Sequence, residues 1–335
     1  MPTIHDVAKL AGVAPITVSR VINNSGYFSE EIRERVEKAV AELGYVPNLL
    51  ARSLRSKRTD TLALILTDIT NPFFTTLARG VEDTASEAGF TVIFCNTDES
   101  ESKEARYLQV LLQKQVDGFL LVPAQSKQAA IDLIRQHGEP VVVLDRRVPA
   151  ENVDIVRCDS EGGACELINL LISLGHRQIA VISGPRGVST AEDRVAGYRR
   201  AMSDAGIPVD ESRIFFGEFN QDGGYEMTRR ALGLYPRPTA LFAANNFIAI
   251  GAMRAIQDSG LEIPEDIALV GFDDLPPAMV SFPFFTVASQ PAYEMGRRAT
   301  LLLLERLSKQ ENEAYQEIIL PTQIIIRHSS GEAIV

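Results

Sequence analysis

Thr3-Ile-His-Asp-Val-Ala-Lys-Leu-Ala-Gly-Val-Ala-Pro-Ile-Thr-Val-Ser-Arg-Val-Ile-Asn23 is the stretch on which the reading of this chain turns. Ile4, Val7 and Ala8 recur at helical spacing. Gly12-Val13-Ala14 supplies a tight turn, and Val18, Val21 and Ile22 give a second short helix one apolar face. Two short helices joined in this way form a helix-turn-helix, whose second helix offers its outer face to the DNA major groove. Pro15 falls in the first turn of that helix, where a missing N–H costs nothing and a fixed φ helps. Pro15, Ile16 and Arg20 then face outward, with Arg20 suited to guanine O6/N7 and Ile16 to a thymine methyl. Ser29 caps a third helix with the stripe Ile32, Val36, Ala39, Val40 and Leu43. Glu30 and Glu31 occupy its first turn and Gly44 follows its end. A basic segment, 48–58, comes next; Leu54 stands there among charges, and the segment is too short to be a stable helix alone in water.

The net charge of −11 looks wrong for a DNA binder until it is divided along the chain. Residues 1–60 hold nine Lys/Arg against seven Asp/Glu, a surplus of two, which leaves −13 for the remainder. An acidic body suppresses nonspecific attachment outside the head. So small a surplus makes a single head a weak binder, since affinity scales with the phosphates neutralised. Two heads, and so a homodimer, are expected. Cys95, Cys158 and Cys165 show no Cys-x-x-Cys spacing and read as small core residues, Cys95 within a buried strand. No charged-then-apolar leader precedes the head, and no apolar run approaches ~20 residues. The expectation is a cytoplasmic protein with no membrane partner.

From Thr61 onward apolar runs alternate with helical patterns. Strands are expected at 62–67, 91–95, 118–122, 141–144, 178–183, 240–243 and 267–272. Helices are expected at 72–89, 103–115, 162–175, 192–206, 222–234 and 248–260. Strand–helix alternation with continuous apolar strands indicates parallel sheets covered on both faces. A pattern this long exceeds one sheet, so the fold class is α/β: an all-α helix-turn-helix head on a two-lobed, doubly wound body with a cleft at the strands' carboxyl ends. Ser308-Lys-Gln-Glu-Asn-Glu-Ala314 reads as a solvated loop. Leu301–304 spans barely one heptad and reads as a packed lobe helix, not a zipper.

Catalytic patterns fail. His5, His137, His176 and His328 are scattered without ligand spacing, so no metal is expected. Gly184-Pro-Arg-Gly187 belongs to neither a dinucleotide nor a Walker fingerprint, and no Gly-x-Ser-x-Gly elbow occurs. Asp273 and Asp274 are adjacent on extended backbone and point to opposite faces, which spoils them as an acid–base dyad. Neither an enzyme nor a cofactor is indicated. The expected strand ends instead carry Asp68, Asn71-Pro-Phe-Phe74, Asp145-Arg-Arg147, Arg194, Phe219, Asn245 and Asp273. Carboxylate, amide and guanidinium groups serve hydroxyls, and aromatic rings cover a sugar's apolar face.

These residues closely resemble the lactose/galactose-repressor family. Asp6-Val-Ala, Ala11-Gly-Val and Thr17-Val-Ser-Arg-Val-Ile-Asn23 resemble its reading head; Tyr45-Val-Pro-Asn48 and Ala51-Arg-Ser-Leu54 resemble its hinge. Asn71-Pro-Phe-Phe74, Asp117-Gly118, Leu174-Gly-His-Arg177, Ile182-Ser-Gly-Pro185 and Gly271-Phe-Asp-Asp274 continue the likeness to the C-terminus. The resemblance implies a head over 1–47, a hinge helix and linker over 48–60, and an effector-binding and dimerising body over 61–335. The body would be like periplasmic sugar-binding proteins. One lobe would span about 61–158 and 290–321, the other about 161–286 and 323–335, with crossings near 158–161, 285–291 and 320–323.

DNA contacts are implied for Thr3, Pro15, Ile16, Thr17, Ser19, Arg20, Asn23, Tyr45, Asn48, Ala51, Arg52, Leu54 and Arg55. Leu54 would wedge into the minor groove of a pseudo-palindromic operator. Asn71, Phe73, Phe74, Asp145, Arg146, Arg194, Phe219, Asn245 and Asp273 look like the pocket of ribose-binding proteins, Asn71 and Arg146 bonding hydroxyls. Ser289 is a departure, standing where those proteins have Gln two residues before a proline. The implied protein is a transcriptional regulator under a small sugar, ribose or another pentose. A purine or a protein corepressor is the alternative within the same build, and a solute-binding protein is disfavoured by the missing export signal.

Overall fold

The structure, a computed structural model, describes residues 2–46, 58–275, 284–308 and 314–331. The chain divides into two compact units, residues 1–59 and 60–335.

The head is three helices: α1 (Ile4–Ala11), α2 (Pro15–Ile22) and α3 (Glu30–Leu43). Thr3 and Asp6 form a reciprocal capping box at the start of α1, and Gly12 ends the helix at φ +64°, a left-handed conformation that favours glycine. Ser29 caps α3 through the Ile32 amide. Val7, Val18 and Val36 are fully buried and bring the three helices onto one core, with Ala8, Ala11, Val21 and Ala39 beside them. Arg35 Nη2 donates to the Ala11 and Gly12 carbonyls at 2.6 and 3.2 Å, tying α3 to the turn.

The body is two six-stranded sheets. The first contains β1 (Thr61–Leu66), β2 (Thr91–Asn96), β3 (Gly118–Leu121), β4 (Val141–Leu144), β5 (Asp154–Cys158) and β11 (Glu317–Leu320), in the order β11-β5-β4-β3-β1-β2, all parallel. The second contains β6 (Ile179–Ser183), β7 (Ile214–Phe216), β8 (Ala240–Ala243), β9 (Ala268–Phe272), β10 (Thr286–Ser289) and β12 (Gln323–Ile325), in the order β12-β10-β9-β8-β6-β7. Only β12 runs antiparallel to its neighbour. Helices α4 (Pro72–Glu87) and α11 (Ala292–Ser308) cover one face of the first sheet; α5 (Glu101–Gln113) and α6 (Ala129–Gln136) cover the other. In the second lobe α7 (Ser160–Ser173) and α8 (Ser189–Asp204) lie opposite α9 (Gln221–Leu232) and α10 (Asn246–Asp258). The chain crosses between lobes after β5, after β10 and after β11.

Some expectations need correction. β10 pairs in the second sheet through Ser289, so that lobe continues past residue 286. Cys95 is half-buried, because β2 is an edge strand whose neighbour Phe94 is exposed. Burial still raises its thiol pKa. Leu302 and Leu303 are buried in α11 while Leu301 is exposed, as a packed helix requires. Residues 309–313 of the expected loop lie outside the described residues.

α4 and α11 approach at two glycines. A Cβ on Gly296 would stand 2.1 Å from the Leu77 carbonyl oxygen, and one on Gly80 2.1 Å from that of Tyr293. Gly296→Val is therefore expected to wedge the helices apart and cost roughly 1–3 kcal/mol or more. Urea unfolding measures the loss; a midpoint unchanged from the parent would contradict the contact.

Candidate functional site

The outer side of α2 is open to solvent. Pro15 sits at the first position of α2 after Ala14, which offers no side-chain cap. Ile16 is 50% exposed, Arg20 and Asn23 are exposed, and Thr17 and Ser19 are half-buried. Among the described residues the Arg20 side chain has no hydrogen-bond or ion-pair partner, which leaves all its donors available. Asn23 Nδ2 donates to the Ser19 carbonyl at 2.7 Å, fixing the end of the helix. Thr3 spends its hydroxyl on Asp6 at 2.7 Å, and Tyr45 packs partly buried against the head core. Asn48, Ala51, Arg52, Leu54 and Arg55 lie outside the described residues.

In the body, strand ends from both lobes converge on a cavity of about 310 Å³. Asn71, Phe73, Phe74, Asp145, Arg146, Arg194, Phe219, Asn245 and Asp273 all line it. The two lobes build it alike. Asp145 follows β4 with φ +65°, and Asp273 follows β9 with φ +68°. Each amide donates at 2.9 Å to the neighbouring strand, to the Val156 and Ala288 carbonyls respectively. Asn71 caps α4 through the Phe73 amide at 3.0 Å, and Asn245 caps α10 through the Ile248 amide at 2.7 Å. The Phe73 and Phe74 rings meet edge to face with centroids 5.0 Å apart. Phe219 lies over Gly184, where a Cβ would be 2.2 Å from the ring. That contact accounts for the glycine in the Gly184-Pro-Arg-Gly187 turn.

Two arginines are placed in different ways. Arg194 donates from Nη1 to the Ala244 carbonyl at 2.6 Å, stacks 3.8 Å over the Phe272 ring and stands 3.9 Å from Asp273. Arg146 is clamped by Glu99 through two bonds of 2.7 and 2.6 Å, and also donates to the Pro123 and Ala124 carbonyls. Burial pushes Asp145 up to about 6, against the pull of Arg146 and Arg194. Burial likewise raises Asp273, opposed by Arg194 and by a 2.6 Å bond from Gln290. Thr67 Oγ1, Asp145 Oδ1, Arg146 Nε, Arg194 Nε and Gln290 Oε1 are buried side-chain atoms with no hydrogen-bond partner among the described residues. An unmatched buried donor or acceptor costs about 1–3 kcal/mol. Five on residues that line one cavity suit it to a polar molecule.

Three expectations change here. Ser289 lines a smaller neighbouring cavity of about 220 Å³, not this one; Gln290 supplies the polar wall, because β10 ends at Ser289 and the next residue begins the crossing. The Asn71 amide exchanges bonds of 3.1 and 3.0 Å with Asn246 of the opposite lobe and also accepts from the Phe73 amide, so it joins the lobes and its oxygen is not free for a hydroxyl. The two Nη atoms of Arg146 are taken by Glu99 and by backbone, leaving Nε alone. Glu99 and Asn246 are the residues that sequence reasoning missed; their partners lie 47 and 175 positions away, and no local spacing signals them.

A DNA-reading head on a body with a two-lobe ligand cleft defines a ligand-responsive transcription factor. Residues 3–48 match the family described as bacterial regulatory proteins, lacI family. Residues 59–328 match periplasmic binding proteins and the sugar binding domain of the LacI family. The chain belongs to the LacI family, whose members are DNA-binding transcriptional repressors and not enzymes. It is 38% identical to the HTH-type transcriptional regulator DegA of Bacillus subtilis (strain 168), covering 98% of each chain. It is 39% identical to the ribose operon repressor of Halalkalibacterium halodurans, covering 98% of this chain and 97% of that one. A crystal structure of the lac repressor dimer bound to operator and the anti-inducer ONPF matches with a TM-score of 0.84 and 28% identity, over 98% and 99% of the two chains. Among the described residues no helix is long and apolar enough to cross a membrane.

Proposed function

We propose that this repressor acts as a homodimer on a pseudo-palindromic operator and is controlled by a small sugar of the pentose class, ribose foremost, held in the interlobe cleft. The five buried polar atoms without partners carry the reading. They belong to residues that line a cavity near the small end of ligand pockets, with Phe73, Phe74 and Phe219 as apolar walls. Hydroxyls satisfy such atoms and a sugar's C–H face suits such rings. The ribose operon repressor among its relatives supports the same choice. The paired assembly of the operator-bound lac repressor, with the weak charge of a single head, supports a dimer.

Calorimetry against ribose, arabinose, xylose, glucose and hypoxanthine tests the effector. Tight binding of hypoxanthine with no sugar response would overturn the pentose and leave the repressor in place. Operator affinity measured in parallel must change by the same factor as sugar affinity, because the coupling is reciprocal. On the DNA side, Arg20→Ala is expected to cost about 1–3 kcal/mol and relax preference at one base pair. A loss equal across all operator sequences would make Arg20 a phosphate contact instead.

A further inference from the structure

We infer that the cleft admits an uncharged polyol and rejects the phosphorylated form of the same sugar, with Glu99 and Glu218 as the residues that set this preference. The inference rests on the cleft being the effector site. Six carboxylates line the cavity, Asp68, Asp98, Glu99, Asp145, Glu218 and Asp273, against only two guanidiniums. Both guanidiniums are already partly engaged. Arg146 is already closed on Glu99 by two bonds, with the arginine buried and the glutamate 23% exposed. Arg194 is bound to the Ala244 carbonyl, stacked on Phe272 and flanked by Asp273. Arg146 is left with Nε alone, 4.0 Å from an Asp145 oxygen, and Arg194 has Nη1 spent on the Ala244 carbonyl, so neither offers its full forked donor array to a phosphate. Glu218 is exposed on the cavity lining, beside Phe219, and has no ion-pair partner among the described residues. An entering phosphate would meet that charge first. Deeper in, it would have to break the Glu99–Arg146 pair. Like charges set against each other are the usual means of excluding a wrong ligand.

The test uses the full chain with neutral and phosphorylated partners side by side: ribose with ribose 5-phosphate, glucose with glucose 6-phosphate, and inorganic phosphate alone. Calorimetry should give the phosphorylated sugar an affinity weaker by a factor on the order of 100. Millimolar inorganic phosphate should leave the thermal midpoint of the parent unchanged beyond its ionic-strength effect. Glu99→Gln releases Arg146 and should create a phosphate-dependent rise in that midpoint. Glu218→Gln, at an exposed position that does not threaten folding, should narrow the gap between neutral and phosphorylated sugar several-fold. Phosphorylated sugar bound as tightly as neutral sugar overturns the proposal, as does a phosphate stabilisation of the parent that Arg194→Ala removes. Glucose bound in preference to ribose, with glucose 6-phosphate refused, upholds the proposal and removes the pentose. Should none of these sugars bind, the Glu99→Gln phosphate response decides: a rise supports the charge gate and its absence overturns it.

Discussion

Asp145→Asn is expected to make the ligand-free protein more stable at pH 7 while stripping it of its sugar response. The carboxylate is buried, one of its oxygens has no partner, and burial lifts it to about 6 from an ordinary value of 3.8. Its folded value is raised, so the native state holds the proton more tightly than the unfolded chain. The stability it contributes is therefore fully present below about 3.8 and is lost as pH rises through 6. At pH 7 the charged form costs the native protein about 3 kcal/mol, at 1.36 kcal/mol per pKa unit. Asparagine keeps the shape and removes the charge. Denaturant unfolding from pH 5 to 8 should show the variant ahead of its parent at pH 7 and the gap shrinking as pH falls below 6. A variant less stable than its parent at pH 7 would refute the argument.

The same charge that burdens the empty cleft serves the bound one. A hydrogen bond to an ionised acceptor is worth about 1.5–3 kcal/mol, so sugar affinity should fall by roughly 10- to 150-fold in the asparagine variant. In the parent, affinity should decline as pH drops through 6 and Asp145 gains its proton. Stability and sensing thus oppose each other at one atom, a pattern common where a site is built before its ligand arrives.

The parts of this molecule that announce themselves in the sequence are those fixed by local periodicity. β4 and β8 are continuous apolar runs and stand at their expected positions, and the helices after them begin within a few residues of where the pattern places them. β5 escapes because Asp154 and Arg157 interrupt it; Asp154 is buried there by two bonds from Arg306, 152 residues away. β11 and β12 are short edge strands with partly exposed residues, so no apolar run marks them. α6 lacks a side-chain cap. The cleft divides along the same line. Asp145, Phe219, Asn245 and Asp273 are legible because each follows a strand, and Arg194 because it lies near the start of a helix, in the second turn of α8. Gln290 is not, because its role depends on where β10 releases the chain, and a one-residue slip turns a side chain to the other face. Nor can one sequence reveal that Arg146 and Asn71 are occupied by Glu99 and Asn246, since those pairings exist only once the lobes have folded.

Arg194→Ala is expected to be the most damaging single change in the cleft, removing the sugar response and several kcal/mol of stability together. The guanidinium is 3% exposed and is the cation nearest Asp273, at 3.9 Å; it also offsets part of the burial cost of Asp145. Its loss strands Asp273, removes the smaller of the two cationic pulls on Asp145, frees the Ala244 carbonyl and empties the space over Phe272. Breaking one side of a buried charge pair costs about 3–5 kcal/mol, because the remaining charge is left uncompensated. Two readouts separate the ion pair from simple loss of volume. Arg194→Met, which keeps the bulk over Phe272, should remain nearly as unstable at pH 7. Arg194→Ala combined with Asp273→Asn should recover part of the loss, since the stranded charge is gone; full additivity of the two changes would show that Arg194 and Asp273 do not depend on each other. The operator supplies the last discrimination. The reading head is a separate compact unit with its own core, so Arg194→Ala protein kept below its lowered melting temperature should still bind operator DNA. Its grip should no longer change when sugar is added. A variant that binds neither DNA nor sugar while remaining folded would mean that Arg194 holds the body in its DNA-competent form as well as holding the ligand.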